Sequence, residues 1–116
     1  MFDAWFDVPK STAAAMTRTP EAQARVDAET ADLALYHYDS CMYCARVRKA
    51  IGALGLSIEL RNVMTDREHY RDLLANGGST TVPCLRIGKD DPAADRWMYE
   101  SADIVRYLVE RFGSAA

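Results

Sequence analysis

Two cysteines separated by two residues, Cys41 and Cys44, are the pair in this sequence best suited to redox chemistry. They follow an apolar run, 33–38, that predicts a buried strand, and they open a run, 43–54, whose apolar residues recur at helical spacing. A cysteine at the start of a helix faces unpaired backbone N–H groups and the positive end of the helix dipole, and both favour the thiolate. We therefore expect Cys41 to attack and Cys44, one turn inside the helix and more buried, to resolve.

A Cys-x-x-Cys pair also occurs in zinc sites, which usually need four ligands. The remaining candidates here, Cys84, His37 and His69, have no metal-like spacing. In a chain without a secretion signal, such a pair near a βαβ pattern indicates redox chemistry instead. We predict a redox-active pair, no metal site, and a buried core position for Cys84.

A second motif, Thr81-Val82-Pro83, opens a predicted strand. Proline cannot donate a ladder hydrogen bond, so it is restricted to edge or entry positions in a sheet. A cis Val82–Pro83 bond would leave the Val82 backbone free to pair with an extended peptide. Taken alone, these residues favour an ordinary trans proline at a strand start.

A third motif, residues 99–103, leads into the last predicted helix. A helix N-terminus that carries the Ser101 hydroxyl is suited to binding a carboxylate, and Glu100 and Asp103 could pair with an ammonium group beside it. Taken alone, the motif favours the simpler interpretation, in which Ser101 only caps the helix.

Periodicity and turn residues predict the element order β-α-β-α-β-β-α between residues 33 and 112. The predicted strands are 33–38, 57–63, 82–87 and 96–99, and the predicted helices are 43–54, 66–75 and one that begins at Ser101. A further helix is predicted at 20–31, because Thr19 suits the N-cap and Pro20 the first helical position. We divide the chain into an N-terminal extension, 1–31, and a domain, 32–116.

The composition is that of a single globular domain of 116 residues. Its 14 basic and 17 acidic residues give a net charge of −3, which argues against nucleic acid as a partner. The sequence contains no apolar run of about 20 residues that could cross a bilayer. Its first ten residues carry aspartates where a signal peptide would carry basic residues, so we expect a cytoplasmic protein.

The first residues of the chain include a possible apolar helical face, formed by Phe2, Trp5 and Phe6. Such a face could touch a membrane surface or a partner. The flanking Asp3 and Asp7 would be repelled by anionic lipid. We therefore predict a frayed terminus or a patch on the domain's own surface, without membrane contact.

Together the three motifs resemble the glutaredoxin family of the thioredoxin-like fold, over residues 33–112. Residues 41–44, Cys-Met-Tyr-Cys, are similar to the family's Cys-Pro-Tyr-Cys, and residues 81–83 to its Thr-Val-Pro with a cis proline. Residues 100–104, Glu-Ser-Ala-Asp-Ile, are similar to the N-terminal domain of glutathione transferases and of transferase-like glutaredoxins. The resemblance implies an α/β fold with a four-stranded mixed sheet flanked by helices.

The resemblance also implies a glutathione site, with glutathione as a co-substrate. The implied glutathione-binding residues are Tyr43, Thr81, Val82, Pro83, Glu100, Ser101 and Asp103. In the transferase-like branch the Glu-Ser pair holds the γ-glutamyl group. Two positions depart from the family pattern: Met42 replaces the usual proline, and Tyr38 stands where many glutaredoxins carry a lysine that contacts the glycyl carboxylate.

The resemblance thus predicts an enzyme, a glutathione-dependent thiol–disulfide oxidoreductase that acts through Cys41 and Cys44. Its expected partners are glutathione and proteins with disulfides or bound glutathione, and we predict a monomer. Two alternatives remain open. The first is a carrier whose iron–sulfur cluster is bridged between two subunits by Cys41 and two glutathiones. The second is an interaction module with little catalysis, in which residues 1–31 act as a docking arm.

Overall fold

The computed structural model describes residues 16–91 and 93–113. The predicted apolar face of Phe2, Trp5 and Phe6 lies outside the described residues. The strands are β1 Leu33–His37, β2 Glu59–Asn62, β3 Cys84–Ile87 and β4 Arg96–Met98, and the helices are α1 Pro20–Thr30, α2 Met42–Ala53, α3 Arg67–Asp72 and α4 Ser101–Phe112. A π-helical turn, Leu73–Gly77, extends α3. The predicted order of elements is confirmed, and no helix among these residues is long and apolar enough to cross a bilayer.

The four strands form one mixed sheet in the order β2-β1-β3-β4. β1 runs parallel to β2 and antiparallel to β3, and β4 runs antiparallel to β3. These directions bring the carboxyl ends of β1, β2 and β4 and the amino end of β3 to one end of the sheet. This "site end" comprises residues 38–41, 62–64, 82–83 and 99–101.

Every residue of β1 is buried, because helices cover both faces of the sheet and β1 is an interior strand. On one face Leu35 and Leu85 pack in a cluster with residues of α2 and α4, including Val47 and Leu108. On the other face Tyr36 and Cys84 pack with Val63 and with Leu73 of the π-helical turn. The continuous apolar run 33–38 therefore reflects burial on both sides of the strand.

The segment before α1 joins the ends of two helices. The Arg18 guanidinium donates to the carbonyl oxygens of Leu54 and Phe112, each at 2.7 Å, at the C-terminal ends of α2 and α4. A cation at this position satisfies carbonyls that the helices leave unpaired and complements their dipoles. The described part of the N-terminal extension therefore packs on the domain, while the boundary between residues 31 and 32 stays a prediction.

A charged cluster lies on the α3 face of the sheet, around Asp72. The Tyr36 hydroxyl donates to the Asp72 carboxylate, and the guanidiniums of Arg61 and Arg86 each lie 3.3 Å from it. Partial burial works to raise the pKa of Asp72, but hydrogen bonds from Tyr36 and Asn76 and the charges of Arg86 and Arg61 outweigh it. The pKa of this carboxyl is therefore lower than its ordinary value.

We expect this cluster to make stability depend on pH in acid. Because the pKa of Asp72 is lower in the folded chain, its contribution is complete above the unfolded-state value of about 3.9 and is lost as the pH falls through the folded value. Asp72→Asn should lower the free energy of unfolding near neutral pH by about 1–2 kcal/mol and flatten its decline in acid. Urea unfolding at a series of pH values measures both effects.

The control for this prediction is Glu110→Gln, which removes an exposed carboxylate on α4. Its pH dependence should follow that of the wild type. An Asp72→Asn curve that also runs parallel to the wild-type curve down to about pH 2 would contradict a role for Asp72 in the acid dependence.

Candidate functional site

Cys41 lies at the N-cap of α2, where its sulfur accepts a hydrogen bond from the Cys44 backbone N–H at 3.1 Å. Cys41 is 7% exposed and Cys44 is fully buried, and both are free thiols. An N–H donor at the positive end of a helix favours negative charge on the sulfur. The structure thus confirms the predicted positions of the two cysteines in the helix, while their roles in a reaction stay predictions.

The two cysteines differ sharply in their surroundings. Burial raises the pKa of the Cys44 thiol to about 12, and the adjacent Cys41 adds to this increase. The backbone at Tyr38 and the charge of Arg48 offset it only in part. Cys44 is therefore a neutral thiol near pH 7, in keeping with a resolving rather than an attacking position.

The Arg48 side chain holds the loop that leads into Cys41, and we call its contacts with His37, Tyr38 and Asp39 the Arg48 clamp. Its guanidinium lies 2.9 Å from the His37 Nδ1, 3.3 Å from the Tyr38 carbonyl oxygen and 3.1 Å from the Asp39 carbonyl oxygen. Burial, together with the charge of Arg48, lowers the pKa of His37, so the neutral imidazole accepts this hydrogen bond. This role of Arg48 was not predicted from the sequence.

One signal for this role was available in the sequence. Arg48 follows Cys44 by four residues, and residues at that spacing share a helix face. A basic side chain on the face of the predicted resolving cysteine could therefore have been expected near the loop. Its three acceptors were not predictable, because two are carbonyl oxygens and one is a ring nitrogen on a strand.

The Thr-Val-Pro motif lies beside the end of β1. The last paired residues of β1 and β3 are Tyr36 and Cys84, so Val82 and Pro83 come just beyond the ladder, at the site end. The Val82–Pro83 peptide bond is cis, as the family resemblance implied and contrary to the trans proline that the residues alone favoured. Thr81 is exposed, and its hydroxyl accepts a hydrogen bond from the Ser79 hydroxyl at 2.9 Å.

The third motif begins α4 at the same end of the sheet. The predicted capping role of Ser101 is wrong: Glu100 occupies the N-cap with an extended backbone, makes no side-chain capping bond, and leaves Ser101 as the first helical residue. The Asp103 carboxylate accepts a hydrogen bond from Arg106 at 3.0 Å. Glu100 and Asp103 are both exposed to solvent.

The topology therefore collects the predicted site residues at one end of the sheet. Cys41 follows β1, Val82 and Pro83 precede β3, and Glu100 and Ser101 follow β4. Tyr43, in the first turn of α2, is 58% exposed, and the Arg46 guanidinium lies 5.7 Å from its ring centre. Glutathione binding by these residues stays a prediction.

A separate cavity of about 360 Å³ opens on the β2 side of the site end. It is lined by Val63, Met64, Thr65, Arg67 and Tyr70. None of these residues belongs to the predicted glutathione site, which spans the ends of β1, β3 and β4. No cluster of three or more His, Cys, Asp or Glu side chains able to hold a metal ion occurs in the described ranges.

Cys84 is fully buried directly after the cis proline, which confirms the predicted core position. Burial raises the pKa of this thiol to about 12, and the neighbouring Tyr99 hydroxyl offsets the increase only in part. Its sulfur belongs to the same packed cluster as Tyr36. Cys84 is thus an unreactive neutral thiol, although it directly follows a residue of the predicted glutathione site.

The comparisons with known proteins agree with this geometry. The sequence matches the family described as glutathione S-transferase, N-terminal domain, over residues 35–116. The chain belongs to this family. It is 36% identical over 74 residues to Glutaredoxin 2 of Escherichia coli (strain K12), a match that covers 64% of this chain and 31% of the relative. The chain thus spans about a third of the length of the curated relatives it matches.

Two solved structures share the fold. A wheat glutaredoxin matches with a TM-score of 0.52 and 22% identity, over 78% of this chain and 84% of that one. A maleylacetoacetate isomerase from Anaeromyxobacter dehalogenans, with dicarboxyethyl glutathione and citrate bound, matches with a TM-score of 0.52 and 24% identity, over 72% and 38% of the two chains. These structures confirm the thioredoxin-like fold that the sequence predicts for this family member.

We expect alkylation of the native protein to reach one cysteine in three. The thiolate is the reacting form, and burial raises the pKa of Cys44 and Cys84 to about 12, so both remain neutral thiols near pH 7. Iodoacetamide should therefore label Cys41 and spare Cys44 and Cys84, as peptide mass mapping would show. In guanidinium chloride all three should react, and native labelling of Cys84 ahead of Cys41 would refute the prediction.

Removal of the Arg48 clamp should destabilise the fold. Arg48→Met leaves the loop carbonyl oxygens of Tyr38 and Asp39 without this donor, and we expect the free energy of unfolding to fall by about 1–3 kcal/mol. Arg48→Lys should recover only part of the loss, because an ammonium lacks the planar fork of donors. The matched control in urea unfolding is Lys49→Met, at the exposed neighbouring position. Equal effects at the two positions would argue against the clamp.

Proposed function

We propose that this protein catalyses glutathione-dependent thiol–disulfide exchange with Cys41 as the nucleophile. The observation that carries the proposal is the position of Cys41. It is the N-cap residue of α2, at the end of the sheet where the cis proline and the start of α4 also lie. Membership of the glutathione S-transferase N-terminal domain family supports glutathione as the small-molecule partner. The name of the Glutaredoxin 2 relative and the dicarboxyethyl glutathione bound to the isomerase support it further.

In the proposed reaction the Cys41 thiolate attacks the glutathione sulfur of a protein–glutathione mixed disulfide. The S–S bond of the substrate breaks as the bond between the Cys41 sulfur and glutathione forms, and the protein leaves as a thiolate that takes up a proton. A second glutathione thiolate then attacks the glutathione sulfur held on Cys41. Oxidised glutathione is released, and the Cys41 thiolate is restored.

Cys44 offers a second route, in which it displaces glutathione from Cys41, and this displacement is the slower of the two. To displace glutathione from Cys41 it must first lose a proton, and burial opposes this loss by raising its pKa. The route ends in a Cys41–Cys44 disulfide, which two further glutathiones reduce. Most turnover should therefore use a second glutathione, and Cys44 serves substrates that carry a protein disulfide.

The proposed glutathione site follows the ends of three strands. The Val82 backbone, just beyond the β1–β3 ladder, would pair with the cysteinyl part of the tripeptide. The start of α4, with Glu100 and Ser101, would hold the γ-glutamyl group, whose carboxylate is suited to a helix N-terminus. Tyr43, Thr81, Pro83 and Asp103 complete the proposed site. We further propose that the protein acts as a cytoplasmic monomer on glutathionylated or disulfide-containing proteins.

The proposal is tested by turnover of a glutathionylated peptide, with formation of oxidised glutathione coupled to NADPH consumption by glutathione reductase. Cys41→Ser should lose at least about a hundredfold in rate, because a serine hydroxyl is not ionised near neutral pH. Cys44→Ser should stay within about threefold of the wild type. Cys84→Ala, which removes a thiol outside the proposed mechanism, is the cysteine control.

Full activity of Cys41→Ser, or an inactive wild type, would overturn the proposal. The visible absorbance of the anaerobically purified protein then distinguishes the two alternatives, the iron–sulfur carrier and the interaction module. An inactive protein with visible absorbance would favour the iron–sulfur carrier, and an inactive colourless protein would favour the interaction module.

A further inference from the structure

One hydrogen bond ties together two segments of the proposed glutathione site. The Tyr99 hydroxyl donates to the Gly77 carbonyl oxygen at 2.7 Å. Tyr99 directly precedes Glu100 and Ser101 at the start of α4. Gly77 ends the π-helical turn, from which the chain runs through 78–81 to Val82. A single hydroxyl therefore connects the approach to the cis proline with the approach to α4.

The contact at Gly77 is close enough to exclude any side chain. A Cβ added at Gly77 would collide with the Tyr99 hydroxyl and would lie 2.8 Å from Cε3 of Trp97. The next residue, Gly78, has a φ of +85°, which turns the chain away from the helix in a conformation that favours glycine. Two glycines thus let the main chain approach β4 and then turn toward the site.

The Tyr99 hydroxyl remains protonated and can therefore donate a hydrogen bond. Burial, with the neighbouring Cys84, raises the pKa of Tyr99 to about 12, so the hydroxyl keeps its proton at physiological pH. The Tyr99 ring packs against the cluster that contains Tyr36 and Cys84. The ring is therefore anchored by packing, and the hydroxyl, which also neighbours the Cys84 sulfur, donates to the main chain at Gly77.

We infer that Tyr99 is a positioning residue for glutathione, holding residues 77–83 against the start of α4. The inference rests on the proposed function. A ligand that bridges two independent segments must order both of them on binding, and a contact that orders them beforehand removes this cost. In this arrangement Tyr99 sets the spacing between the Val82 backbone and the Glu100–Ser101 turn.

The role predicts an effect on binding rather than on chemistry. Cys41 lies at the N-cap of α2, and this helix carries neither partner of the Tyr99–Gly77 hydrogen bond. Loss of the hydroxyl should therefore weaken the hold on glutathione while the reactivity of the sulfur stays the same. A general loss of folding would instead lower every property of the enzyme together.

The experiment compares Tyr99→Phe with the wild type. The substitution keeps the ring and removes the hydroxyl, so the KM for the glutathionylated peptide, whose glutathione part occupies the proposed site, should rise about fivefold or more, which corresponds to the loss of one hydrogen bond. The kcat at saturating glutathione and the rate of Cys41 alkylation should stay within about twofold. The matched control is Tyr107→Phe, a half-buried tyrosine of α4 whose ring faces Arg111, and it should leave the KM unchanged.

Gly77→Ala provides a second variant, because it pushes the main chain away from Tyr99 without altering the hydroxyl. It should also raise the KM for the glutathionylated peptide. An unchanged KM in Tyr99→Phe, or a fall in kcat and alkylation rate without a change in KM, would overturn the inference. If Tyr99→Phe fails to fold, an unchanged KM in Gly77→Ala would overturn it as well.

Calorimetric titration with glutathione separates failure of this inference from failure of the proposed function. A wild type that binds glutathione without turnover contradicts the proposed function, and weaker binding by Tyr99→Phe would still support the positioning role. Equal binding by the two proteins would overturn the positioning role alone. A wild type that neither binds nor turns over glutathione would overturn both.

Discussion

The antiparallel pairing of β1 with β3, with Tyr36 opposite Cys84, is the constraint on which the rest of this structure depends. The cysteine motif begins a few residues after β1 ends, and the cis proline directly precedes β3. Their proximity is therefore a consequence of register. A shift of β3 by one residue would move the proline along the strand and turn Cys84 to the face of the sheet opposite Tyr36. Burial of β1 on both faces keeps this register in place, because each side chain has a distinct packed environment.

Within this frame, helix geometry and burial give two chemically similar cysteines different properties. Cys41 is at the helix start, with an N–H donor on its sulfur, whereas Cys44 is sealed in the core as a neutral thiol. Arg48 links the two regions, since it extends from the helix of Cys44 to the loop before Cys41. The N-termini of α2 and α4 lie at the site end. At the opposite ends of the same two helices, Arg18 hydrogen-bonds to the C-terminal carbonyl oxygens of both and so fixes their relative position.

The family comparison and the geometry explain different parts of the molecule. The match to the glutathione S-transferase N-terminal domain family spans residues 35–116, which include the cis proline and the Glu100–Ser101 segment. It begins at residue 35, so it does not account for α1 or for Arg18. The hydrogen bond between Tyr99 and Gly77 arises from tertiary packing. It joins the segment that leads to Val82 with the segment that leads to Glu100, and the proposed glutathione site needs these two segments at a fixed distance.

The sequence by itself determined the order of helices and strands, the position of Cys41 at a helix start and the burial of Cys84. These properties follow from local periodicity and from the spacing of a few residues. It did not determine that Glu100 rather than Ser101 takes the N-cap, and the residues alone favoured a trans proline where the bond is cis. The Asp72 cluster, the Arg48 clamp and the Tyr99 contact were decided only by the tertiary structure. Each joins side chains or carbonyl oxygens from elements that meet after the sheet has formed, and no pattern along the chain encodes those meetings.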